Sequence, residues 1–147
     1  MRMGASLRKM RLMVDSRRKG QAAMNTVCKT FTHCLFPDTP TNTPVYSLPF
    51  RVRSTSIMPV EGHWDGKGDI LHRPDIHFPF CTEVKKHEGW TLDALFRPKS
   101  PIWKWWEQCT NQADACSGIP LLIFMRNRIE PYVLLPFGAY HTLHPTT

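Results

Sequence analysis

Apolar positions recur every four residues at Ala23, Val27, Phe31 and Leu35, which predicts an amphipathic helix over residues 21–35 that stops before Pro37. Pro37, Pro40, Pro44 and Pro49 then mark a connector. Residues 48–57 read as a first strand, and Gly62, Asp65 and Gly66 supply turn chemistry at a hairpin tip over 59–66, which also carries His63 and Trp64. A second strand is expected over 68–72 and a third in the apolar run from Phe78 to Val84. After a linker with one helical turn, Ile102, Trp106, Cys109, Ala113 and Cys116 alternate spacings of four and three, so one apolar stripe defines a helix over 102–116. Gly118 ends it. The nearly unbroken run from Ile119 to Phe124 fits a central strand covered on both faces, Arg126, Asn127 and Arg128 form its polar exit, and Tyr132 to Leu135 makes the last strand. An order of helix, three strands, helix and two strands predicts an α/β fold with a mixed central β-sheet flanked by helices.

Polar residues inside that frame carry the candidate chemistry. Asp69 opens the second strand, and Glu83-Val84-Lys85 closes the third. Side chains alternate along a strand, so Glu83 and Lys85 project together while Val84 enters the core. A carboxylate from the neighbouring strand would complete an oxygen-rich site for a hard divalent cation such as Mg²⁺, with Lys85 beside it as a cation for a phosphate or an attacking water. Such a set suits phosphodiester hydrolysis. The competing reading is a solvated strand edge with a surface ion pair. Asp75 follows Pro74 in a turn and is the weaker choice of acid. His72, His77, Cys81 and His87 lack the close pairs that zinc sites use.

The stretches KGDI (67–70), PFCTEVKKHEGW (79–90) and WWEQ (105–108) resemble the PD-(D/E)XK nuclease superfamily, and within it the phage and archaeal Holliday junction resolvase-like branch. The resemblance runs from Arg17 to Leu135. It implies a restriction-endonuclease-like core of order α-β-β-β-α-β over 17–136, between an N-terminal arm (1–16) and a C-terminal tail (137–147). It also implies an Mg²⁺-dependent DNA endonuclease, with Mn²⁺ able to substitute, in which Asp69, Glu83 and the Val84 carbonyl hold the ion. Lys85 then orients or deprotonates the water, or stabilises the phosphate. Gln108 is the first choice for the polar residue that relatives aim at the site from the second helix, although it also reads as facing water or capping a strand end. Arg53 and Ser56 match the Arg and Ser that approach the phosphate in relatives. Branched DNA is the favoured substrate, with a homodimer for symmetric cleavage. One position departs from the pattern. Counting four residues from Gly20, where relatives carry a Glu, lands on Met24, followed by Asn25. That departure keeps two rivals in play: a non-catalytic, structure-selective DNA-binding protein with a degenerate nuclease fold, and a same-fold nuclease acting on duplex or single-stranded DNA.

The charge distribution sharpens the choice of partner. Of a net +7, the stretch through Lys19 carries six, with Arg2, Arg8, Lys9, Arg11, Arg17, Arg18 and Lys19 against Asp15 alone. A basic, flexible arm leading into Arg17, Arg18 and Lys19 suits DNA, since each phosphate neutralised releases counterions. The other readings are a solubilising tail, a start chosen too early among Met1, Met3, Met10 and Met13, or a transit peptide. Lys86 is a further phosphate contact, and Glu88 either assists a metal or balances charge. Trp103 and Trp105 exceed what one core needs and suit base stacking, a dimer interface or packing. Hydrophobic content of 41% argues against disorder, and no apolar run is long enough for a membrane span. Five cysteines without a tight framework fit a reducing, cytoplasmic compartment.

Overall fold

The computed structural model describes residues 3–53 and 64–139, with side chains described from Arg18 onward. The expected strand residues 54–57, Ser56 among them, and residues 59–63 of the hairpin tip, His63 among them, lie outside the described residues, as does the side chain of Arg17. The observed order is α1 (Met3–Leu35), β1 (Phe50–Val52), β2 (Ile70–His72), β3 (Phe80–Lys86), α2 (Pro101–Ala115), β4 (Ile119–Arg126) and β5 (Ile129–Leu134). The predicted sequence of elements is therefore present. Short 3-10 turns cover Val45–Ser47, Leu92–Phe96 and Phe137–Ala139.

The first helix begins much earlier than the apolar periodicity suggests. Its 33 residues make a rod of about 50 Å. Residues 3–20 contain no proline and are rich in Arg, Lys, Leu and Met, good helix formers, and Met3, Leu7, Met10 and Val14 recur at spacings of four, three and four. The buried face also differs from the expected one. Ala23, Val27, Cys28 and Thr32 are buried, whereas Leu35 is 49% exposed. A strict four-residue spacing drifts off a 3.6-residue helix, so Thr32 takes the place expected of Leu35. Its hydroxyl donates to the Cys28 carbonyl at 2.7 Å, which satisfies a buried polar group.

β4 is the centre of the molecule. It pairs in parallel with β3 and antiparallel with β5, while β1 and β2 form an antiparallel pair of their own. A parallel bridge between Gly68 and Thr82 links the two sheets. Leu121, Ile123 and Met125 pack on one face with Ala23, Val27, Phe50 and Ile70, and Leu122 and Phe124 pack on the other with Trp90, Ile102 and Cys109. α1 and α2 thus cover opposite faces, as a near-continuous apolar strand requires. α2 starts where Ser100 caps it, accepting the Ile102 amide at 3.2 Å, with Pro101 in the first turn. With Ile102 and Cys109 packed on the sheet, Gln108 meets Lys85 and Gln112 meets Glu83 of β3.

Candidate active site

The site is built where β2 and β3 fail to zip together. Beyond the Gly68–Thr82 bridge, Asp69 donates its amide to the Thr82 carbonyl at 2.8 Å. Its carboxylate Oδ2 then accepts the Val84 amide at 2.8 Å. A side chain substitutes for the next ladder carbonyl, and a part-buried N–H is satisfied by an acid instead of by a strand. Gly68 makes the close approach possible. Its φ is +83°, and a Cβ there would collide with the Thr82 carbonyl.

Arg53, which the resemblance aims at phosphate, grips this loop. Its Nε donates to the Gly68 carbonyl at 2.7 Å and its Nη2 to the Gly66 carbonyl at 2.8 Å. The guanidinium thereby fixes the entry to Asp69.

Glu83 lies on β3, 3% exposed, with its carboxyl within hydrogen-bonding reach of Asp69. Burial first, and then the neighbouring Asp69 carboxylate, push Glu83 up to about 7, while Lys85 and a hydrogen bond from Gln112 pull it back. Lys85 shares the Glu83 face, as alternation requires, and donates to Gln108 Oε1 at 3.1 Å. Gln108 is exposed and acts on the site through this ammonium.

Gln112 is a residue that sequence reasoning misses. It stands one helical turn from Gln108, and that spacing is the available signal. It lines a cavity of about 300 Å³ together with Arg53, Lys67, Gly68, Asp69 and Glu83. Its Oε1 is buried and has no partner among the described residues.

A second cavity of about 510 Å³ lies on the other side of Asp69, lined by Lys19, Gly20, Met24, Val84, Lys85, Lys86, His87 and Glu88. Lys19 and Lys86 thus come together with the acid and Lys85. Met24, the position at which the resemblance implies a Glu, is among the residues that line this cavity. Glu88 also accepts the Asn127 amide at 2.9 Å, which ties it to the β4–β5 turn. Arg18 is exposed on α1 and lines neither cavity, and Asp75 sits exposed in a turn and lines neither. Trp105 stacks on His87 with centroids 5.0 Å apart, and Trp103 donates its indole N–H to the Leu95 carbonyl at 3.1 Å.

The donor set suits a hard cation. Asp69, Glu83 and the Val84 carbonyl offer only oxygen, and a cation would relieve the repulsion that raises Glu83. Among the described residues no group of three or more His, Cys, Asp or Glu comes together. Such an ion would therefore rely on two carboxylates, a carbonyl and water. Nucleophilic cysteine chemistry is disfavoured, because burial pushes Cys81 up to about 12 and Cys109 up to about 11. No helix among the described residues is long and apolar enough to cross a membrane.

No curated protein and no solved structure matches the chain. A family model described as "Phage putative PDDEXK endonuclease" matches residues 15–146, nearly the whole chain, and takes in α1 from residue 15 onward, all of α2 and all five strands. The match covers Asp69, Glu83 and Lys85 in one continuous alignment, and on that ground the chain belongs to this family of phage PDDEXK endonucleases.

Proposed function

We propose that the protein is an Mg²⁺-dependent endodeoxyribonuclease, with Mn²⁺ able to substitute and branched DNA as the favoured substrate. The observation that carries this reading is the contact between Asp69 and Glu83 with Lys85 on the same face of β3. Asp69, Glu83 and the Val84 carbonyl would hold the ion. Bound there, Mg²⁺ supplies positive charge against the phosphoryl oxygens and acidifies water. The water oxygen bonds to phosphorus, one P–O ester bond breaks, the water proton passes to a base and the departing oxygen is protonated. The products are a phosphate monoester and an alcohol. Lys85, steadied by Gln108 at 3.1 Å, orients the water or stabilises the crowded phosphate. Gln112 holds Glu83 in place, and Lys19 and Lys86 contact the phosphate backbone.

Purified protein with Mg²⁺ or Mn²⁺ should cut a labelled four-way junction in preference to duplex or single strand. It should run as a dimer in analytical ultracentrifugation. Cutting of duplex alone would move the substrate to ordinary DNA. Binding without any cutting would favour the non-catalytic reading, which Met24 in the second cavity supports.

A further inference from the structure

Lys67 takes no part in the chemistry assigned to Asp69, Glu83 and Lys85. It is the middle residue of the segment that Arg53 grips, with the carbonyls of Gly66 and Gly68 held on either side of it. Gly66, at φ +109°, lies close to His72 and the Ile70 carbonyl, and Gly68 abuts Thr82. The backbone of Lys67 is thus fixed from three directions. Its side chain is exposed, and among the described residues its ammonium makes no hydrogen bond or ion pair. A cation on a preset backbone costs less to order when it meets a ligand.

Lys67 lines the smaller cavity with Asp69 and Glu83, while Lys19, Lys85 and Lys86 line the larger one, and Asp69 is the wall common to both. Cations therefore stand on both sides of the acid. A single small anion needs one such side, whereas a strand with regularly spaced phosphates meets both. Resting on the nuclease reading, we propose that the Lys67 cavity seats the phosphodiester next to the scissile one. The substrate strand then crosses from the Lys19 and Lys86 side to the Lys67 side, with the scissile phosphate at Asp69.

The test is a coupling measurement on the full chain. Oligonucleotides of one sequence that wild type binds each carry one neutral methylphosphonate, moved phosphate by phosphate along the strand and across the cut where there is one. Binding is measured in Ca²⁺, which occupies oxygen sites with looser geometric demands than Mg²⁺. Wild type should lose about tenfold in affinity at one position beside the cut. Lys67→Ala should lose a similar factor on unmodified DNA and nothing further at that position. Its salt slope should fall by about 0.7–0.9, and Lys67→Arg should restore both. The melting temperature of Lys67→Ala should match wild type, since the ammonium has no partner among the described residues. Losses that simply add at every position, or a Lys67→Ala variant that binds like wild type, would overturn the proposal. Should wild type cut while no coupling appears, only the strand path fails. Coupling at one phosphate without any cutting would sink the nuclease reading and leave the Lys67 contact standing, and absence of DNA binding would overturn both.

Discussion

Glu83 is a carboxyl buried beside a second carboxyl. Its carboxyl rises from 4.5 to about 7 because it is buried against Asp69. Below pH 4.5 the folded and unfolded chains both hold this proton, and between 4.5 and 7 only the unfolded chain releases it. The folded state then binds more protons, so stability falls as pH rises through that window and stays low above it. In EDTA the melting temperature should decline between those limits, and Glu83→Gln, neutral throughout, should lose that slope and melt at or above wild type once the pH exceeds the upper limit. A melting curve of Glu83→Gln with the wild-type slope would show that another group titrates. Lys85 has the opposite character, since its ammonium is half-buried and held by Gln108. Lys85→Ala should still bind DNA while cleaving about 10²–10³-fold more slowly. Gln108→Ala should cost less, because it removes only the steadying contact.

At the scale of elements, a glycine of the first helix and a glycine of the site loop should answer substitution in opposite ways. Gly20 sits in mid-helix with open space around a Cβ. Gly20→Ala should stabilise the protein by about 0.5–1 kcal/mol in a denaturation curve. Gly68→Ala meets both a positive φ and the Thr82 carbonyl, so it should destabilise the protein and abolish cleavage by displacing Asp69. The same contrast explains what could be read in the chain. β3, β4 and α2 announce themselves, because their apolar residues follow the period of the element and both sides of β4 are covered. Asp69, Glu83 and Lys85 are legible as a group through strand alternation plus a motif. The early start of α1 carries a signal of the same kind, Met3, Leu7, Met10 and Val14 at spacings of four, three and four, which a reading of the basic start as a flexible arm passes over. Gln112 is missed for another reason. Its role depends on how α2 is rotated against β3, which follows from the packing of Ile102 and Cys109 on the sheet and which no local pattern assigns to one Gln over the other. The tasks of Arg53 are likewise tertiary, because its partners lie 13 and 15 residues away.

For the whole molecule, the proposed function predicts one polyanion-facing side that takes in both cavities and the basic start of the chain. Residues 1–16 contribute Arg2, Arg8, Lys9 and Arg11, and their backbone from Met3 onward continues α1. Deleting them should weaken DNA binding and reduce the slope of log affinity against log salt by about 0.9 for each duplex phosphate that the shortened chain no longer neutralises. Cleavage at saturating DNA should be retained, and an unchanged slope in a salt titration would remove the arm from the interface. The double use of Asp69 reaches further, into how such a protein ages. Its carboxylate closes the sheet through the Val84 amide whether or not any catalysis takes place. Removing it leaves a part-buried N–H without its partner, at a cost of about 1 kcal/mol, whereas replacing Glu83 by a neutral residue relieves a repulsion. A descendant released from the need to cut DNA would therefore shed Glu83 and Lys85 first and keep Asp69 as a fossil of the fold.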